Sequence, residues 1–226
     1  MASSMRVELA GETVELHGAR AMFWPRRKRL LMADLHLGKA DIFRRAGIGL
    51  PRGGTTHDLD RLSALIGAAC AQELWILGDV LHGAALDSAW RAPWEAWRAR
   101  HRDVYVAALS GNHYRALASA GLDIELLGPG VEDAGFALRH EPASHTDLHV
   151  ICGHLHPVIT VPGIRKRFPC FWSRDGMTVL PAFSEFTGGY RFAPAPADQI
   201  VACVEGDTVM VQSGARAKRD GERGKH

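Results

Sequence analysis

The chain has 226 residues, 46% apolar and 23% charged, with 27 Lys and Arg against 25 Asp and Glu for a net charge of +2. That is enough for one sizeable core, and it excludes a mostly disordered or fibrous chain. A balance so near neutral argues only weakly for nucleic acid. No apolar stretch approaches the ~20 residues of a membrane helix, and Met1–Arg6 lacks the apolar core of a secretion signal. Cys70, Cys152, Cys170 and Cys203 form no C-x-x-C pair. A cytoplasmic protein with buried free thiols and no membrane association is the expectation. Arg outnumbers Lys by 22 to 5, which codon usage explains as readily as phosphate binding, and there are 12 His.

In chain order, Val7–Leu9, Thr13–Leu16 and Ala21–Trp24 read as an opening strand meander, followed by a strand over Leu30–Ala33. Leu59, Leu62, Leu65, Ile66 and Ala69 mark one face of a helix with Asp58 near its start. A strand over Leu74–Leu77 comes next. Trp90, Trp94 and Trp97 mark a second helix capped by Asp87 or Ser88, their stripe read as core. Strands follow over Val104–Leu109, Phe136–Arg139, Leu148–Cys152 and Met177–Leu180. Ile200–Val204 and Thr208–Val211 form a closing hairpin around Glu205-Gly206-Asp207. Strands alternating with helices define an α/β sandwich in a single domain over residues 5–212. Residues 213–226 form a basic tail with no apolar anchor, expected to be disordered.

Chemistry collects behind the apolar runs. They end in Asp34-Leu-His36, Gly78-Asp79, Gly111-Asn112-His113, His140 and Gly153-His154-Leu-His156. Five strands thus deliver metal-ligating side chains at their C-terminal ends, the edge where open α/β sheets place their sites. Strand alternation would point Asp34 and His36 the same way, and likewise His154 and His156. Gly78, Gly111 and Gly153 allow close backbone approach to a small charged site. A set of Asp, His and Asn without Cys suits Mn²⁺, Fe or Zn²⁺. Two carboxylates and four imidazoles are too many for one catalytic ion, so a dinuclear site bridged by one carboxylate is expected.

These motifs resemble the calcineurin-like metallophosphoesterase signature over residues 34–156. The resemblance implies a four-layer α/β/β/α sandwich. It implies that Asp34, His36 and His156 hold one metal and Asn112, His140 and His154 the other, with Asp79 bridging and His113 as the near-site acid. Many members carry an acid after that His, where this chain has Tyr114. Asp34-Leu-His-Leu-Gly-Lys39, Phe43-Arg-Arg-Ala-Gly47, Leu180-Pro-Ala-Phe-Ser184 and Thr187-Gly-Gly189 further resemble the bacterial ligase-associated DNA-damage-response branch. That branch implies a Mn²⁺-dependent phosphodiesterase or endonuclease acting on DNA, associated with a DNA ligase and a helicase.

The function expected is therefore dimetal-dependent hydrolysis of phosphodiester bonds in nucleic acid, in a repair setting. The alternative is a small-substrate phosphodiesterase or pyrophosphatase acting on a cyclic nucleotide, dinucleotide or nucleotide-sugar. Candidate substrate contacts are His82, three residues after Asp79, then Lys39, Arg44 and Arg45, and the basic loop with Arg165 and Arg167. Phe168, Phe171 and Trp172 beside that loop could stack on bases, though core packing is the plainer reading. His17, His57, His101 and His226 fall outside every motif, and no role attaches to His145 or His149.

Overall fold

The computed structural model describes residues 3–49, 53–82, 89–111, 114–185 and 187–214. The N-cap candidates Asp87 and Ser88, the motif residues Asn112 and His113, and the tail from Ala215 lie outside the described residues.

The first sheet runs in sequence order: β1 (Ser4–Leu9), β2 (Glu12–His17), β3 (Ala21–Trp24), β4 (Arg29–Met32), β5 (Glu73–Ile76), β6 (Tyr105–Ala108) and β7 (Glu125–Leu126). The opening meander is antiparallel, and β4, β5 and β6 are parallel. Ala10 and Gly11 both take positive φ, 49° and 81°, the two-residue turn whose twist suits a hairpin. The second sheet contains β8 (Gly130–Asp133), β9 (Phe136–Arg139), β10 (His149–Cys152), β11 (Pro157–Thr160), β12 (Arg167–Arg174), β13 (Met177–Val179), β14 (Tyr190–Arg191), β15 (Gln199–Val204) and β16 (Asp207–Ser213). The closing hairpin turns on Glu205 and Gly206 alone, and Asp207 already pairs with Val204.

The helices are α1 (Lys39–Arg45), α2 (Gly54–Ala69), α3 (Arg91–Arg100) and α4 (Tyr114–Ala120). α2 starts four residues before Asp58, which is buried inside it. Leu59, Leu62, Leu65 and Ile66 of α2 join Trp90, Trp94 and Trp97, and Leu117 and Ala120 of α4, in one core against the first sheet. The Trp stripe is core, as its spacing predicts; Trp94 Nε1 donates to the Leu122 carbonyl at 2.9 Å and Trp97 Nε1 to Ser63 Oγ at 3.0 Å. Leu16, Trp24, Leu31 and Leu77 meet Phe136, Ile151, Phe171 and Leu180 in the core between the sheets.

Among the described residues no helix contributes to the cores on the second sheet's outer face. The fourth layer of the expected sandwich is therefore not seen there. Phe192 packs against that outer-face core instead. Arg165 and Lys166 belong to the turn before β12, and Arg167 opens that strand. Phe168, Phe171 and Trp172 are buried at 4%, 1% and 7% exposure, Phe171 between the sheets and the other two on the second sheet's outer face, so they are core. No described helix is long and apolar enough to cross a membrane.

At the edge away from the candidate site, buried Arg29 spans the sheets. It donates to Glu73 at 2.6 Å and Asp133 at 2.8 Å and stacks on Trp75 at 3.7 Å. At the other edge, the chain after β13 crosses to the first sheet. Ala182 bridges Ala33, and Phe183 N–H donates to the Ala33 carbonyl at 2.7 Å. The Leu180–Ser184 segment is thus the strut holding the two sheet edges together.

A candidate two-metal centre

Strand ends from both sheets converge on one edge. β4 leads to Asp34 and His36, β5 to Asp79, β9 to His140, and β10 to His154 and His156. The first two loops zip together: His36 N–H donates to the Asp79 carbonyl at 3.0 Å and Leu37 N–H to the Val80 carbonyl at 2.7 Å.

Asp34 with His36, and His154 with His156, are not aimed by strand alternation, contrary to what their spacing suggests. They lie past the strand ends, and Asp34, His36, His154 and His156 take φ of 53°, 50°, 68° and 53°. A left-handed side-chain-bearing residue costs about 1–2 kcal/mol, and such strain gathers at functional sites. The leucine between each pair is the anchor: Leu35 is buried in the helix-side core, and Leu155 packs against the outer core of the second sheet. With the leucine anchored, left-handed turns on either side set the two flanking side chains together at the site.

The donor atoms form two groups. Asp34, His36 and His156 bring their atoms within 4.8 Å of one another, as do His140, Glu141 and His154. In the first, His36 Nε2 and His156 Nε2 are 3.4 Å apart, and His156 Nε2 is 3.4 Å from Asp34 Oδ2. In the second, His140 Nε2 and His154 Nδ1 are 3.2 Å apart. Two donors each about 2.1 Å from a shared cation stand about 3.0–3.4 Å apart, so these spacings fit. Buried His36 Nδ1 and His140 Nδ1 have no hydrogen-bond partner among the described residues. Burial pushes the His36 imidazole down to about 3, with Lys39 adding to the effect, and burial also lowers that of His140. Neutral imidazoles offer lone pairs, the state in which His ligates a metal.

Asp34 is 1% exposed. Its Oδ1 accepts Asp79 N–H at 3.2 Å and its Oδ2 accepts His154 N–H at 2.7 Å. Burial works against its ionisation. His156, the charge of His36 and the His154 N–H outweigh burial, and the carboxyl stays below the usual range. Asp79 adjoins the first group through its backbone, and its charge, with that of Asp34, acts on both His140 and Lys39.

The motif glycines are sterically required. A Cβ on Gly78, whose φ is +144°, would strike Asp34 Oδ1 and stand 3.1 Å from His140 Nδ1. One on Gly111 would lie 2.5 Å from Asp79 Oδ1, and one on Gly153 would lie 2.5 Å from Ala33 Cβ and the Leu77 carbonyl.

The candidate substrate contacts divide. Lys39 is buried, and its pKa is lowered by burial against the pull of Asp34 and Asp79. Its ammonium lies 5.9 Å from the Phe43 ring, Phe43 lies 6.0 Å from the His82 ring, and His82 lies 5.3 Å from His36. Lys39, Phe43 and His82 therefore wall the first group. Arg44 pairs with Asp41 on α1, and Arg45 is exposed. Arg165 and Arg167 are exposed at the tip of the β11–β12 hairpin, with four strand residues, about 13 Å, between them and His156. Glu141, absent from the sequence reading, sits 4.0 Å from His154 Nε2. Its only sequence signal is that it directly follows His140. A groove of about 340 Å³ beside it is lined by Ser110, Gly111, Pro129, Arg139, His140 and Glu141.

Three histidines outside the motifs make structural contacts. His101 stacks on Trp97 at 4.6 Å, His149 meets Thr178 Oγ1 at 2.8 Å, and His145 Nδ1 accepts Leu148 N–H at 3.0 Å.

Fold and site together define a mixed α/β protein whose two sheets bring two sets of metal-competent donors to one edge. No protein-family model matches the chain, and no curated protein matches it. Among solved structures, the nuclease MPE of Pseudomonas putida superposes with a TM-score of 0.80 at 36% identity, over 92% of this chain and 100% of that one. The chain belongs to the family of that protein.

Proposed function

We propose that the chain is a calcineurin-like, dimetal-dependent phosphodiesterase that hydrolyses phosphodiester bonds in nucleic acid, with DNA under repair as its substrate in the cytoplasm. The observation that carries this reading is the convergence of Asp34, His36, Asp79, His140, His154 and His156 from two sheets on one edge. The 36% identity to a protein described as a nuclease supports it. Asp34, His36 and His156 are assigned to one ion, Asn112, His140 and His154 to the other, and Asp79 to both. Two divalent ions held there, Mn²⁺ first with Fe or Zn²⁺ as alternatives, would supply Lewis-acid polarisation of the phosphoryl oxygens and would acidify water.

The chain's own residues do the rest. His113, next to Asn112 in sequence, hands a proton to the leaving oxygen. Lys39 and His82 line the approach and steady the phosphoryl group. Arg44 and Arg45, and farther out Arg165 and Arg167, meet phosphates along the strand. Association with a DNA ligase and a helicase is part of the proposal and rests on the branch-like segments around Lys39 and Ser184.

The test is hydrolysis of bis(p-nitrophenyl) phosphate beside single-stranded and duplex DNA, with Mn²⁺ added and with every metal removed. Turnover of the diester and of DNA, lost on chelation, is expected. Hydrolysis by metal-free protein would overturn the dimetal reading. Intact DNA beside rapid turnover of a dinucleotide or nucleotide-sugar would establish the small-substrate alternative.

A further inference from the structure

A stack of planar groups lies outside the metal cluster yet is tied to it. Trp172 is buried, and its Nε1 donates to Asp198 Oδ2 at 2.8 Å, an oxygen that also accepts Ala195 N–H at 3.0 Å. On Trp172 lies Phe192, with centroids 4.1 Å apart and planes 18° apart. Tyr190 follows, 6.5 Å from Phe192 and within 8° of parallel. The Arg174 guanidinium sits 5.3 Å from the Trp172 ring. The stack is fixed at its buried end and open at Tyr190, which is 48% exposed.

Tyr190 is also fastened to the centre. Its N–H donates to the His156 carbonyl at 2.9 Å, and β14 pairs with β11 through Tyr190 and Pro157. Gly189 lets the strands approach this closely, since a Cβ there would run into Val158. The exposed cation Arg191 directly follows Tyr190 on β14.

We propose that the open face of Tyr190 is a base-stacking subsite that receives an unpaired base flanking the cleaved phosphate. This rests on the nucleic-acid reading above. A ring held parallel to a neighbour has little motion left to lose on stacking, and every base offers a π-face to it. The base must be splayed from any partner to lie flat on the ring. The ring's flanks, Gly188, Gly189 and Arg191, add no apolar side chain, which suits one base within a polyanion better than a protein interface.

The test is a cycle between protein and substrate. Mn²⁺-supplemented wild type, Tyr190→Ala and Tyr190→Phe are assayed on an oligodeoxynucleotide and on versions with one abasic residue walked through the positions flanking the cut. Wild type should lose about tenfold in kcat/KM at one abasic position. Tyr190→Ala should lose about tenfold on the intact strand and no more at that position, while Tyr190→Phe retains the wild-type pattern. The Tyr190→Ala loss on bis(p-nitrophenyl) phosphate should be much smaller. Retained abasic discrimination in Tyr190→Ala, or none at any position in wild type, overturns the subsite and leaves the nuclease intact. Equal losses on both substrates overturn it too, by assigning Tyr190 to the support of the His156 loop. A wild type that cleaves the small diester and no oligonucleotide refutes the nucleic-acid reading and the subsite with it.

Discussion

Single residues at this site are constrained by what their backbone must do. Gly78 illustrates it, because both its φ of +144° and its distance from Asp34 and His140 forbid a side chain. Gly78→Ala is expected to lower turnover at least a hundredfold and to weaken metal binding, since the clash falls on a ligand from each group. Calorimetric Mn²⁺ titration beside the rate checks it; unchanged affinity would mean the ligand positions tolerate the shift. His113 makes a separate prediction. If it protonates the leaving oxygen, His113→Ala keeps both metals and loses about 10²–10⁴-fold on a nucleotide diester. The loss should be smaller on a p-nitrophenyl ester, whose leaving group needs little protonation. Full metal content with unchanged rates on both would remove the role.

At the scale of elements, α2 steadies the strut. Arg61 donates to the Phe183 carbonyl and to Glu185 at 3.3 Å, pairs with Asp58 at 3.0 Å, and lies 4.2 Å over the Phe183 ring. Arg20 donates to the Ser184 carbonyl at 3.2 Å. The strut in turn touches the centre, with Ser184 N–H 3.4 Å from the Asp34 carbonyl. Burial pushes the Asp58 carboxyl up to about 6 despite Arg61, so desolvation of this pair exceeds its attraction. An unfolded Asp titrates near about 3.9. Between these values the folded state holds the extra proton, and Asp58's contribution to stability falls as pH rises. Asp58→Asn removes that slope. Comparing urea unfolding at pH 4.5 and 7.5, wild type should lose about 2 kcal/mol relative to the variant at the higher pH. Parallel pH profiles would show Asp58 ionised throughout.

For the whole molecule, the centre is a second joint between the sheets. Asp34, His36 and Asp79 come from one, and His140, His154 and His156 from the other. Ions bound across that edge should therefore stabilise the fold as well as the chemistry. Mn²⁺ is expected to raise Tm of the chelated protein by several degrees. Asp79→Asn, which removes the carboxylate assigned to both ions, should abolish turnover and most of that rise. A wild-type Tm indifferent to Mn²⁺, or an Asp79→Asn protein with normal activity, would contradict the assignment.

The amino-acid order by itself determined the opening meander, both long helices, the closing hairpin and the loops that meet at the candidate site. Hydrophobic period, Gly positions and the D-x-H and G-H-x-H motifs are local properties of a chain. Only the tertiary structure decided how those residues aim. Asp34 and His36 project together through left-handed backbone around an anchored Leu35, a conformation no period of two encodes. Lys39 became a buried wall of the site and Arg165 the tip of a distant hairpin, because burial and reach depend on which strand lies opposite. β7, β8 and β14 are too short or too polar to stand out from their neighbours. Strand β12 went unread because its inner-face and outer-face aromatics run together as one apolar stretch. Glu141 and Tyr190 come near the ligands by folding alone: a carboxylate on a loop and a ring after two glycines mean nothing until two sheets close the edge between them.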